Sequence, residues 1–266
     1  MHRPPLRRLA AVRYVAPLRE GGSLPAIIEA VDDAASGRAP PELVVAKWRG
    51  AGQGPTALVA EIIAGELGRA LGLRVPELVL LELDPGIART ERDEEIGDLL
   101  RASAGTNLGM AYLSGAVGFD AAAAMVPTPE LAARIVVFDA FAMNVDRTAR
   151  NPNLLWWEGA LWLIDHGAAL YWHHGWDGAL DRPDRPFPLV KDHVLLRWAV
   201  GIDDAGAALV AALDDATLRA AVEAVPDDWL GDDPSTRRDA YVAFLRARRD
   251  AAGPFLEEAM RARAGL

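Results

Sequence analysis

Apolar positions along the chain fall into two regimes. In the first 110 or so residues they come as short runs that alternate with polar positions, the period of a half-buried strand. Arg13–Leu18 and Ala26–Val31 read as strands, joined by the turn Arg19-Glu20-Gly21-Gly22-Ser23-Leu24-Pro25. Glu42–Trp48 reads as a third strand, with Leu43, Val45 and Lys47 on one face. The stripe Leu58, Ile62, Leu67, Leu71 has helical spacing and predicts a helix from about Ala57 to Leu71. Pro76–Asp84 predicts another strand, followed by a polar stretch and a short helix ending at Leu100; Ser103–Leu113 reads as a strand or a connector.

Beyond that point helical spacing dominates. Thr128-Pro129-Glu130 is a helix start, with a hydroxyl cap, a proline in the first turn and an acid near the positive end of the helix. Leu131, Ile135, Phe138 and Ala142 share a face, which predicts a core helix ending at Asn144 and delivering the chain to Asp146. Leu154-Leu155-Trp156-Trp157 and the apolar run before Asp165 form two short strands about the turn Glu158-Gly159. The remainder predicts helices over Val194–Val200, Ala205–Leu213, Ala216–Val225 and a long Arg-rich one over Pro234–Ala264.

Composition narrows the chemistry. The 266 residues include no cysteine, which removes thiolate nucleophiles, Cys-ligated zinc, iron–sulfur clusters and disulfides. The formal net charge of −10 argues against a mainly nucleic-acid-binding surface, and direct nucleic-acid binding is not expected. No apolar run has signal-peptide or membrane-spanning length, so the expected location is cytoplasmic, without membrane insertion. An anionic ligand then needs localised positive charge, and the only lysines are Lys47 and Lys191. The flexible ammonium of Lys47 can reach phosphate oxygens from a strand end. The backbone N–H groups of Gly21, Gly22 and Ser23 can fold over phosphates. Glu61 and Glu66 are both possible carboxylate partners for Lys47, and Glu61 is preferred. Gly50-x-Gly52-x-Gly54 does not fit the G-x-G-x-x-G dinucleotide fingerprint, and no Walker-type loop is present.

The most informative segment runs F-A-M-N-V-D-R-T-A-R-N-P-N-L-L-W-W-E-G-A-L-W-L-I-D-H-G from Phe141 to Gly167. It sets Asp146, Asn151 and Asp165 around a hairpin. Phosphoryl transfer uses such a set: one carboxylate to orient a hydroxyl nucleophile, and an amide oxygen with a second carboxylate to hold Mg²⁺ on nucleotide phosphates. Asp146 to Asn151 has the D-x-x-x-x-N spacing of kinase catalytic loops.

The segments N-V-D-R-T-A-R-N-P-N-L-L and L-I-D-H-G, with P-L-R-E-G-G-S-L-P, V-V-A-K-W-R-G-A-G-Q-G and P-E-L-V-L-L-E-L upstream, resemble the HipA-like kinases, in particular their compact branch. The resemblance covers about Tyr14 to Leu170. It implies an α+β, bilobal protein-kinase-like fold. The small N-lobe, residues 1–113, has an antiparallel sheet and one main helix; the larger, mostly helical C-lobe, residues 114–266, carries the catalytic loop 144–153 and the metal-binding hairpin 154–167. It implies transfer of the γ-phosphoryl group of ATP to a Ser or Thr hydroxyl. Lys47 would take the α/β-phosphates, with Glu61 as its helix partner; Asp146 would be the catalytic base, and Asn151 and Asp165 would hold Mg²⁺. HipA-like kinases can autophosphorylate, which makes Ser23 a candidate acceptor by position.

The chain departs from eukaryotic-type protein kinases where Asn144-Val145-Asp146 stands for His-Arg-Asp and Asp165-His166-Gly167 for Asp-Phe-Gly, and it lacks Ala-Pro-Glu. The acceptor stays open between a protein hydroxyl, the chain's own included, and a small molecule or lipid headgroup; a non-catalytic nucleotide-binding protein is the third reading. His173, His174 and Asp177 do not form a metal set, because adjacent residues of a strand point to opposite faces.

Overall fold

The computed structural model describes residues 5–18, 24–32, 40–52, 54–90, 93–175 and 182–266. The chain divides into two compact units, residues 1–58 with 76–114 and residues 59–75 with 115–266; the division falls within helix α1, Gly54–Ala70.

Unit 1 is a closed five-stranded barrel of β1 (Arg8–Pro17), β2 (Ala26–Asp32), β3 (Glu42–Lys47), β4 (Leu78–Leu83) and β5 (Gly105–Ala111), in the spatial order β1-β2-β3-β5-β4. Four of the pairings are antiparallel; β1 and β4 close the barrel in parallel through Arg8–Ala10. Closure needs a strand that can bend, and β1 carries two register shifts, at Ala11/Arg13 and Tyr14/Ala16. Leu9, Ile28, Val44, Leu81 and Leu83 are among the apolar side chains of the core, each contributing about 1.5–3 kcal/mol by leaving water. Gly109 of β5 has a packing reason, since a Cβ there would meet Val79 Cγ2 at 2.6 Å. Helix α2, Glu94–Ala102, is capped by Asp93, which accepts from the N–H groups of Glu95 and Ile96.

Unit 2 is organised on α3, Pro129–Ala142, whose cap Thr128 Oγ1 accepts from Leu131 N at 3.2 Å. Ten of its fourteen residues are buried, because the apolar set Ile135, Val136, Val137, Phe138, Phe141 and Ala142 wraps most of the circumference. A three-stranded sheet of β6 (Val117–Gly118), β7 (Leu154–Trp157) and β8 (Ala160–Leu163) follows the order β6-β7-β8. Glu158 and Gly159 both have positive φ, 48° and 73°, the turn that a two-residue hairpin demands. Helices α4 (Ile202–Ala212), α5 (Asp215–Glu223), α6 (Pro234–Asp250) and α7 (Gly253–Ala264) complete the unit.

Several expectations need correction. The first strand begins at Arg8 rather than Arg13, because its early residues pair with β4. The five-strand sheet is therefore not wholly antiparallel. The segment 103–113 is a barrel strand lying between β3 and β4. Val194–Val200 holds only a short 3-10 turn, Leu196–Trp198. The long C-terminal helix is two helices, broken before Gly253-Pro254, where proline withholds an N–H and clashes with the preceding turn.

Candidate active site

The site in unit 2 begins where α3 ends. Met143 caps the helix in the left-handed conformation, φ 53°, and turns the chain into the 144–153 loop. One side chain of α3 governs that loop. Asp139 has no solvent exposure; its Oδ1 accepts from Asn144 Nδ2 at 3.0 Å, and its Oδ2 accepts from Arg147 Nε at 2.6 Å and lies 2.9 Å from His193 Nε2. Leu195 N donates to His193 Nδ1 at 3.0 Å, which puts the imidazole proton on Nε2, facing Asp139. Burial by itself would raise the Asp139 carboxyl. Arg147 and His193 overturn this and hold it well below the ordinary carboxylate range.

Arg147 extends the network, donating through Nη1 to Asn153 O and, at 3.3 Å, to Ile164 O. It thus ties the far end of the loop to the chain leaving β8. Backbone bonds back this up, with Thr148 bridging to His193 and Val194 N donating to Arg147 O at 3.0 Å.

Asp146 lies at the solvent side of this framework. Asn144 Oδ1 accepts from Asp146 N at 3.2 Å, so the same asparagine that touches Asp139 also aims Asp146. Asp146 Oδ2 accepts from Asn151 Nδ2 at 2.6 Å and from Asn153 Nδ2 at 3.3 Å. Among the described residues these bonds leave Asp146 Oδ1 and Asn151 Oδ1 without a partner.

The Asp165-His166-Gly167 segment is fixed from α1. Glu61, almost wholly buried, accepts from Gly167 N through Oε1 at 2.9 Å, and its Oε2 lies 3.8 Å from His166 Nδ1. His166 packs edge-on against Phe138 of α3, ring centroids 6.1 Å apart. Asp165 has φ 53°. Six non-glycine residues among those described have positive φ, and five of them, Met143, Asn153, Glu158, Asp165 and Leu170, fall within 143–170. Backbone strain of this kind gathers where surrounding structure over-determines a site.

Of the remaining candidates, Glu66 belongs to unit 2 and the others to unit 1. Lys47 ends β3 opposite Leu108 of β5, on the face away from the barrel core that takes Val44 and Ala46. Gly21, Gly22 and Ser23 lie outside the described residues. Glu66 lies 3.9 Å from Arg69 on its own helix.

Sequence reasoning missed Asp139, Arg147 and His193. The one signal was an acid in the otherwise apolar run Ile135–Ala142, since a charge in a buried face requires partners. Among the described residues no group of three or more His, Cys, Asp or Glu side chains is disposed to hold a metal. Asn151 and Asp165 are two hard oxygen donors, which suits Mg²⁺ because that ion takes one or two protein ligands and completes its shell with phosphate oxygens and water. No helix among the described residues is long and apolar enough to cross a membrane.

Residues 42–182, just over half of the chain, match the family model described as HipA-like kinase. The match contains Lys47, Glu61 and the whole 144–167 segment. Among solved structures, the chain is similar to the crystal structure of a Helicobacter pylori proinflammatory kinase, CtkA. The TM-score is 0.57 with 13% sequence identity, over 97% of this chain and 98% of that one. At that identity the likeness shows a shared fold. No curated protein matches the chain.

Proposed function

We propose that this chain, which belongs to the HipA-like kinase family, transfers the γ-phosphoryl group of ATP to a Ser or Thr hydroxyl of a protein, with Asp146 as the base. The observation that carries the reading is the Asp146 carboxylate, one oxygen held by two amides and the other left open toward solvent. In the reaction the acceptor oxygen bonds to the γ-phosphorus, the bridging bond to the β-phosphate breaks, ADP leaves and the hydroxyl proton passes to Asp146.

The remaining roles are assigned on the same basis. Asn151 Oδ1 and the Asp165 carboxylate would hold Mg²⁺, whose contribution when bound is to offset phosphate charge. Glu61 fixes the backbone of the Asp165 segment through Gly167, which restricts where the Asp165 carboxylate can lie. By the family alone, Lys47 would take the α/β-phosphates and Gly21, Gly22 and Ser23 would serve the nucleotide.

The test uses the full chain and Asp146→Asn. Both proteins are expected to gain thermal stability from Mg-ATP, since binding to the folded state alone raises the melting temperature. Transfer of labelled γ-phosphate is expected to fall by about 10²–10⁴-fold in Asp146→Asn, the usual contribution of a positioned base. A wild-type chain that binds Mg-ATP but labels neither itself, water nor any protein of a cell lysate would overturn the reading.

A further inference from the structure

Unit 2 contains a cavity of about 450 Å³ that the roles above do not use. Met143, the helix cap three residues before Asp146, forms part of its lining, so the cavity wall and the candidate base are within about 11 Å along the backbone. Aromatic walls come from Tyr171, Trp172 and Phe244, with the rings of Trp172 and Phe244 stacked at 4.0 Å. His174, Arg182 and Arg185 supply the polar lining, and among the described residues no carboxylate lines the cavity. Arg182 has one exposed acidic neighbour, Asp184 at 3.4 Å; Arg185 has none among the described residues.

The backbone that carries Arg185 is anchored, while the Arg182 and Arg185 side chains are exposed. Arg248 of α6, fully buried, donates through Nη1 to Pro183 O and Arg185 O, both at 2.9 Å. It also donates through Nε to Phe141 O and through Nη2 to Ala140 O, both at 2.7 Å. One guanidinium therefore anchors the backbone that carries Arg185 to the last turn of α3, the turn that ends at Met143. Burial lowers Arg248 to about 10, which still leaves it charged at neutral pH.

From this arrangement we propose that the cavity receives an acidic side chain of a peptide acceptor and so sets which Ser or Thr reaches Asp146. The inference rests on the kinase reading for the second half of that statement. A guanidinium fork pairs a carboxylate or phosphate through two parallel hydrogen bonds. A membrane headgroup fits less well, because surfaces that read anionic lipid cluster some four to eight basic residues and this cavity has two arginines.

The test separates binding from turnover. Fluorescence anisotropy follows a fluorescein-labelled peptide, one Ser flanked by Glu, on the full chain carrying Asp146→Asn. The Glu peptide is expected to bind at least about tenfold tighter than its Gln counterpart, the scale of one charge-assisted pair. Arg182→Ala with Arg185→Ala should erase that preference, Arg185→Glu should shift it toward a Lys peptide, and Arg219→Ala, on the surface of α5, should keep it. Equal binding of Glu and Gln peptides, a preference unchanged by the cavity variants, or displacement of the peptide by phosphoinositide vesicles would overturn the proposal. Phosphoryl transfer by the unsubstituted chain is measured alongside. Transfer without Arg-dependent binding sinks the cavity assignment alone; Arg-dependent binding without transfer sinks the kinase reading and upholds the cavity as a peptide site.

Discussion

Two loops of this chain each hang on one wholly buried polar side chain, and the two anchors differ in charge. In unit 1, Asn107 of β5 holds the turn after β3: its Oδ1 accepts from Arg49 N at 2.9 Å, while its Nδ2 donates to Ser103 O at 2.7 Å and Gly105 O at 2.9 Å. In unit 2, Asp139 holds the turn after α3 with a carboxylate set against a guanidinium, an imidazole and an amide. A neutral amide satisfies backbone groups with no ion taken out of water. A buried carboxylate commits its neighbours to remain charged or polar, and every partner removed leaves another ion exposed to low dielectric. The charged anchor is the more costly device, and it lies under the loop that carries Asp146.

The largest expected effect follows directly. Asp139→Ala strands Arg147 without its carboxylate and should lower unfolding stability by about 3–5 kcal/mol, read from the urea midpoint. A loss no larger than that of Asn107→Ala would mean that the charge adds nothing to the anchor. The same group gives the next effect, on pH. Its folded-state affinity for protons is depressed, so its stabilisation is present above the ordinary carboxylate pKa and is lost as pH falls through that range and below, where the unfolded chain takes up a proton the folded one resists. Stability measured between pH 7 and pH 3 should therefore fall more steeply in the wild type than in Asp139→Asn, and parallel curves would remove the charge from the explanation. Asn107→Ala is expected to cost less, about 1–3 kcal/mol, with little added pH dependence, because it leaves neutral groups unsatisfied.

How far the sequence discloses this depends on how local each signal is. The start of α3 was legible because Thr128-Pro129 acts within one turn, and the β7–β8 hairpin because Glu158-Gly159 supplies a local reversal between apolar runs. The hairpin that separates Asn151 from Asp165 was legible from spacing, while the roles of Asp146, Asn151 and Asp165 are a proposal. The anchor was not, because His193 is 54 residues from Asp139 and nothing in either neighbourhood announces the other. The C-terminal break was present in the letters, Gly253-Pro254, but helical composition on both sides hid it. The parallel seam of the barrel was hidden for another reason: pairing of Arg8–Ala10 with Leu80–Glu82 is a matter of long-range register, which apolar alternation does not encode.

Asp139, buried and charged, is taken to position the half-buried candidate base Asp146 through Asn144. Steady-state phosphoryl transfer by Asp139→Asn, measured well below its melting temperature, tests it most directly. The substitution keeps the size of the side chain but halves its capacity to accept from Arg147, His193 and Asn144 together. In Asp139→Asn, kcat is expected to fall by at least about tenfold while KM for ATP changes little, as for an interaction expressed in the transition state. An unchanged kcat, or a loss confined to KM, would contradict it.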